Sequence, residues 1–300
     1  MVEPLQSQEQ GDASPLVTVT MSVYNAGEYL RLAVLSIVKQ TFTNWELLII
    51  DDGSTDNALD SITDIQDGRI RILRDGANKG LAARLNEAID LARGKYFARM
   101  DQDDVSYPER LVRQVLSFDE NPALDLVAVR AITIDENNKA TGLFPNTLTH
   151  DEICARRWRG FYFPHPTWMG KIEWFRKHRY TVPGPYFCED QELLLRSYRG
   201  SRFATVDEVL FGYRVRGKTN WRKLAKIRRT VLNVQLRHFS NLNLWHFVLL
   251  AITTFFGKIS GDLSRRLRGD IFQFERIADD GVVFKWDKIL DGLATESKVS

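Results

Sequence analysis

The 300-residue chain is 44% apolar, 27% charged and 11% aromatic, with a net charge of only +2. That composition excludes collagen-like, low-complexity and wholly disordered chains, and the near-neutral total excludes a uniformly basic nucleic-acid binder. Two cysteines, Cys154 and Cys188, are too few for a disulfide framework.

Residues 1–14 are polar and acidic with no apolar core, and read as a disordered tail rather than a secretory signal. From Leu16 onward, strand and helix patterns alternate. Val17–Val23 is a short β-rich run broken by Asn25 and Gly27. Residues 28–39 then place Leu30, Ala33, Val34, Ile37 and Val38 at helical spacing. Residues 45–50, apolar apart from Glu46, read as a strand buried on both faces of a parallel sheet. That run stops at Asp51-Asp52-Gly53-Ser54. A helix is predicted over 57–65, a strand over 69–73, and a helix over 81–92 with Gly94 as its stop. A fourth strand, 95–100, runs into Asp101-Gln102-Asp103-Asp104. Pro108 precedes a helix over 109–118, and 125–134 reads as another strand. This alternation predicts an α/β fold with a mostly parallel, Rossmann-like sheet.

From 149 to 200 aromatics and prolines cluster, predicting an irregular platform against the sheet, followed by a strand over 203–215. The charge then changes sign by segment: −7 over 1–213, +12 over 214–268 and −3 over 269–300. Residues 220–239 mix Leu224, Ile227, Val231 and Leu232 with Arg222, Lys223, Lys226, Arg228 and Arg229. The apolar stretch 244–256 that follows is shorter than the roughly 20 residues of a membrane span. A basic amphipathic segment beside aromatics fits an anionic membrane surface, with 218–268 as the contact. The alternative is a helix packed on the catalytic domain with a solvated basic face. No base-reading motif accompanies the charges, so no nucleic-acid partner is expected.

Ligands of open parallel sheets bind beyond the carboxyl ends of the strands. Acidic groups stand at two predicted ends: Asp51 and Asp52, then Asp101, Asp103 and Asp104. Such clusters repel themselves unless a hard divalent cation, which prefers oxygen ligands, neutralises them. In an extended segment, Asp-x-Asp turns alternate side chains the same way. Neither a Gly-x-x-x-x-Gly-Lys loop nor Gly-x-Gly-x-x-Gly follows the first strand. The ordinary nucleotide triphosphatase and dinucleotide dehydrogenase readings are therefore unsupported.

Val-Thr-Met-Ser-Val-Tyr-Asn at 19–25, Gln-Thr-Phe at 40–42 and Asp-Asp-Gly-Ser-Thr-Asp at 51–56 form an ordered set. It continues with Asn-Lys-Gly at 78–80, Asp-Gln-Asp-Asp at 101–104 and Pro-Glu-Arg-Leu at 108–111. In order and spacing, over residues 16–215, the set resembles family 2 glycosyltransferases of the GT-A fold. The resemblance implies inverting transfer of a sugar from a nucleoside-diphosphate sugar, expected to be a UDP-sugar, with Mn²⁺ or Mg²⁺ as cofactor. It further implies that Ser22 and Tyr24 frame the nucleobase and ribose, that Asp52 receives the base's N–H, and that Asp51 shapes the same turn. Lys79 would contact the donor and Asp101 its ribose or sugar. Asp103 would reach the metal, with Asp104 the neighbouring candidate.

Cys-Glu-Asp-Gln-Glu at 188–192 resembles the family's Glu-Asp motif. Asp190 would be the general base that inversion by one displacement requires, with Glu189 supporting it or meeting the acceptor. Phe-Pro-His-Pro-Thr-Trp at 163–168 resembles a segment found before that motif in bacterial members. His165 and Trp168 there would meet the diphosphate or the acceptor. The Gln-x-x-Arg-Trp motif of processive members is absent, which implies a non-processive enzyme. Residues 214–220 stand where many members carry a histidine, and here Arg214 and Arg216 would balance the leaving diphosphate.

The expected organisation is a tail over 1–14, a GT-A domain over 15–217 and a basic, mainly helical extension over 218–300. Within the GT-A domain, 15–135 would bind the nucleotide-sugar and 136–217 the acceptor. The acceptor would be a glycan or a lipid-linked glycan of surface-polysaccharide synthesis, met in the cytoplasm at the inner face of the plasma membrane. A nucleotidyltransferase of similar fold would need a Gly-rich basic loop after the first strand, which residues 23–27 do not supply. Against an inactive donor-binding or membrane-scaffold protein stand intact Asp103 and Asp190.

Overall fold

The computed structural model describes residues 14–185, 187–216, 220–268 and 280–297. The expected tail therefore lies outside the described residues, apart from Ser14. The first half forms four parallel strands in the order β3 (Ile70–Arg74), β2 (Trp45–Asp51), β1 (Val17–Val23), β4 (Tyr96–Asp101). Every residue of β2 is buried, as its largely apolar run requires. One exception to its apolarity, Glu46, is neutralised in place by Thr18, Arg71 and Arg93. Helices α1 (Tyr29–Val38), α2 (Leu81–Leu91) and α3 (Arg110–Glu120) follow the sequence pattern. The expected helix over 57–65 shrinks to a single 3₁₀ turn, Ala58–Ile62. Asn57 before it has φ +56°, and the Asp56 carboxylate accepts from both Gly27 N (2.7 Å) and Ala58 N (3.2 Å). These bonds tie the chain to the loop after β1 and leave little room for helix.

Beyond β4 the sheet continues through β8 (Met169–Lys171), β6 (Leu126–Ile134), β9 (Phe203–Arg214) and β5 (Val105–Ser106), with β7 (Ala140–Leu143) paired to β6. β8 runs antiparallel to both β4 and β6, so the aromatic segment enters the sheet instead of only lying on it. At its centre a Cβ on Gly170 would stand 2.8 Å from Leu126 and Phe175 side chains, which explains the glycine. Around β8 pack α4 (His150–Ala155), α5 (Ile172–Lys177) and α6 (Glu189–Ser197). Their core holds Phe163, Trp168, Trp174, Phe175 and Phe203.

The C-terminal region docks in two separate places. α7 (Trp221–Asn241) and α8 (Trp245–Arg268) pack together, and Phe239 and Ala251 are buried. Gln235 Nε2 donates to Arg157 O (3.2 Å) and Trp158 stacks on Phe247. α9 (Asp280–Ser297) instead places Trp286, Leu290 and Leu293 in a core with Leu32, Leu35, Val105, Ile132 and Ile134. The apolar stretch expected to end at Phe256 is longer as a helix. Trp245–Leu267 spans 23 residues at mean hydropathy 1.3, long and apolar enough to cross a membrane by length and composition.

Candidate active site

The site is built at the carboxyl ends of β1, β2 and β4, where Ser22 stands in register with Ile50 on one side and Asp101 on the other. Asp51 Oδ1 accepts from Ser54 N (3.0 Å) and shapes the turn after β2. Ser54 Oγ accepts from Asn25 N, and Asn25 Oδ1 from Thr55 N (2.8 Å), zipping the loops after β1 and β2 together. Gly53 sits at φ +77°, where glycine is favoured, and a Cβ there would stand only 3.2 Å from the Ala77 carbonyl carbon. Tyr24 exposes its ring, while its backbone N–H and C=O are both bound by the Gln102 amide (2.6 and 3.0 Å). The turn carrying the aspartates is thus pinned to the end of β1.

Asp52 is buried, and its carboxylate holds the 78–80 loop. Oδ1 accepts from Lys79 N (2.7 Å) and Arg84 Nε (2.9 Å), and Oδ2 from Gly80 N (3.0 Å). One donor on Oδ2 leaves that oxygen with capacity for another. Lys79 Nζ is drawn to Asp75 (2.5 Å) and Glu87 (3.8 Å). Arg84, which the sequence reading missed, is almost wholly buried and joins Asp52, Asp75 and Glu87. Its signal was an arginine on the inward face of an otherwise apolar helix stripe.

The aspartate turn is charged and partly dry. Asp101 is paired with the buried Arg99 (2.7 Å), whose Nε and Nη1 have no hydrogen-bond partner among the described residues. Asp103 is largely enclosed but meets Arg216 Nη2 at 2.6 Å. Asp104 is buried; Oδ1 accepts from Arg214 N (2.8 Å), and Oδ2 has no partner among the described residues. Burial first, and the neighbouring Asp101 charge second, push the Asp103 and Asp104 carboxyls up from their ordinary range. A cation relieves both effects. Among the described residues no three His, Cys, Asp or Glu side chains gather into a metal cage. The hard oxygens of Asp101 and Asp103 fit Mg²⁺ or Mn²⁺ held by one or two carboxylates, with water and phosphate completing its shell.

The two arginines expected to face the diphosphate differ. Arg214 is buried, with Nε on Asp103 O (2.7 Å), Nη1 on Asp135 O (2.6 Å) and its guanidinium over Tyr29. It builds the turn and has no surface for a ligand. Arg216 is partly exposed beside Asp103. Arg110, from Pro-Glu-Arg-Leu, is also fully buried, with Nη2 on Arg99 O (2.7 Å) and Pro166 O (3.2 Å). Neither Arg99 nor Arg110 was assigned a role from sequence.

On the acceptor side, Glu189 and Asp190 open α6. Asp190 Oδ2 accepts from Gln191 Nε2 (3.0 Å). Burial, then the Asp190 charge, push the Glu189 carboxyl up to about 7, and burial raises Asp190 as well. Asp101 repels and Arg99 attracts the Glu189 charge, so the aspartate turn and the start of α6 share one field. His165 is buried, bonded through Nε2 to the Tyr180 hydroxyl (2.7 Å), with Nδ1 3.8 Å from Glu189 Oε1. Burial holds its pKa well below the usual value, so the ring is neutral. Trp168 departs from expectation: it is fully enclosed, with Nε1 on Phe163 O (3.1 Å), and packs under His165 rather than facing an acceptor.

Residues 18–179 match the glycosyl transferase family 2 sequence profile. An uncharacterized glycosyltransferase of Haemophilus influenzae is 32% identical over 216 residues, 68% of this chain and 66% of its own. The match thus spans just under two thirds of that relative. UDP-Glc:alpha-D-GlcNAc-diphosphoundecaprenol beta-1,3-glucosyltransferase WfgD of Escherichia coli is 32% identical over 140 residues, 46% of this chain and 54% of its own. Among solved structures, a mannosyltransferase of Pyrobaculum calidifontis in complex with GDP-Man and Mn²⁺ superposes at TM-score 0.54 and 14% identity. That fit covers 95% of this chain and 88% of the other. With the GT-A architecture, the aspartate turn and the carboxylate pair opening α6 all in one chain, the protein belongs to glycosyl transferase family 2.

Proposed function

We propose that the protein transfers one sugar from a nucleoside-diphosphate sugar, a UDP-sugar, to a glycan or lipid-linked acceptor, with inversion and without processive elongation. Asp190 takes the acceptor hydroxyl's proton as the sugar is displaced. Glu189 shares the charge of that site, and neutral His165 steadies Glu189 and Tyr180. Tyr24 and Ser22 line the base and ribose, Asp52 Oδ2 takes the base's N–H, and Asp101 meets the ribose or sugar. Arg216, which pairs with Asp103, passes to the departing diphosphate. A divalent cation at Asp103 would neutralise diphosphate charge in both ground and transition states. The observation that carries this reading is the pair of raised-pKa carboxylates opening α6 within electrostatic reach of the aspartate turn.

The acceptor and the location follow from two supports. The Escherichia coli relative's name places it on a diphosphoundecaprenol-linked acceptor. In this chain, Trp245, Leu249, Phe256, Leu263 and Leu267 are all exposed. At 3.6 residues per turn they fall within an arc of about 40° on α8. That stripe, with the basic α7 beside it, suits the cytoplasmic surface of an anionic membrane.

Two substitutions test the roles. Asp190→Asn should lower kcat about 10²–10⁴-fold while UDP and Mn²⁺ still bind, measured by calorimetry and turnover; near-normal turnover removes Asp190 as base. Asp103→Ala should abolish the Mn²⁺-dependent part of UDP affinity, and an unchanged affinity would sink the metal role.

A further inference from the structure

The side of α8 opposite its exposed stripe closes a cavity of about 280 Å³ against α7 and residues 158–162. Asp190 and Gln191 are among its lining residues, so the proposed base borders this space. Ile227, Val231, Leu232 and Phe255 supply apolar wall, while Arg159, Arg228 and Lys258 bring three cations. A second cavity of about 430 Å³ shares Trp158, Arg159 and Lys258 and runs past Gly257 and Gly261. A Cβ at either glycine would meet nothing within 4 Å, so that groove is open. Together the two fall within the roughly 300–1,000 Å³ range of small-molecule sites.

None of the residues assigned to the donor lines either cavity. Lys258 is largely withdrawn from water, with Nζ on the Arg159 carbonyl (2.5 Å). Burial first, then the Arg228 and Arg159 charges, pull its pKa down to about 8. Asp262 answers from α8 and binds Arg228 (3.3 Å) and Arg265 (2.5 Å). Gathering cations in a partly dry site costs free energy that a bound anion offsets through charge-assisted hydrogen bonds. The apolar wall and the open groove call for hydrocarbon next to that anion.

We propose that the paired cavities seat the acceptor as a phosphorylated amphiphile. Its sugar hydroxyl lies at Asp190, its phosphate at Arg159, Arg228 and Lys258, and its hydrocarbon along Gly257 and Gly261 toward the exposed stripe. This deepens the glycosyltransferase reading and rests on it.

Farnesyl diphosphate is the probe, titrated calorimetrically into the full chain, with UDP and Mn²⁺ titrated into the same samples. The wild type should bind it saturably in the presence of excess UDP. Lys258→Met and Gly261→Leu should each weaken it at least tenfold and leave UDP affinity within twofold. A Cβ at 261 meets nothing within 4 Å, so Gly261→Leu extends into the open groove and favours the helix, keeping the test readable if Lys258→Met misfolds. The proposal is overturned if both variants bind the probe within twofold of wild type, or if UDP displaces it. It also falls if inorganic diphosphate binds as tightly. Loss of phosphatidylglycerol-vesicle binding by Lys258→Met with probe affinity intact would make the cluster a headgroup contact and overturn it too. A failed donor reading would register as absent UDP binding, separately from the probe affinities.

Discussion

A base works only when ionised, and the two carboxyls that open α6 resist ionisation. Glu189 is held up to about 7 by burial and by Asp190, and the two titrate as a pair. Activity should therefore fall as pH drops through about 7, well above the ordinary carboxylate range. Glu189→Gln removes the like charge, so the acid limb of kcat/KM should move down; a limb that stays put would separate the two groups. Stability follows with a definite sign. The folded state binds this proton more tightly than the unfolded chain, so stability declines as pH rises from 4.5 to about 7 and is flat above. At pH 8 Glu189→Gln should be the more stable protein, by about 3 kcal/mol in chemical denaturation, and near wild type at pH 4.5. At this scale Asp52, Asp103 and Asp190 stand out as candidates in the sequence because each lies in a recognisable run of residues. Arg99 and Arg110 were not. Inside strand and helix patterns an arginine looks like any polar interruption, and its purpose appears only when Asp101, Asp104 and Glu189 converge on it.

Elements of several turns were legible for the same reason that they are stable: their apolar period runs long enough to be seen. β8 has three residues and no period, and its place between β4 and β6 depends on Gly170 fitting under Leu126 and Phe175. α9 was grouped with the basic extension, since its composition resembles any amphipathic helix. Its partner surface on α1, β5 and β6 is remote in sequence. Trp286 is the anchor: fully buried, Nε1 on Val209 O (3.1 Å), its ring 2.9 Å from where a Gly212 Cβ would stand. Trp286→Ala should cost about 3–5 kcal/mol in urea unfolding, through the lost burial and the cavity. A loss under 1 kcal/mol would mean that α9 is not part of the domain core.

For the whole molecule, net charge hid more than it told, because the acidic first 213 residues and the basic α7–α8 pair cancel in the sum. The exposed stripe of α8 offers a cleaner membrane test than deleting 218–300, which would also remove Trp286. Leu249→Asp with Phe256→Asp should abolish sedimentation with anionic vesicles while the unfolding midpoint stays within a few degrees. Sedimentation equal to wild type would take the stripe out of membrane contact.

The docking of α9 also bears on how the protein is made. β6 and β9 need Trp286, yet about 150 residues separate Ile134 from it. At roughly 5–20 residues per second on the ribosome, the sheet waits about 8–30 s for its last cover. During that wait Ile132, Ile134 and Val105 present an uncovered apolar face. A nascent chain stalled before α9 should accordingly recruit a general chaperone, and release it once the helix emerges.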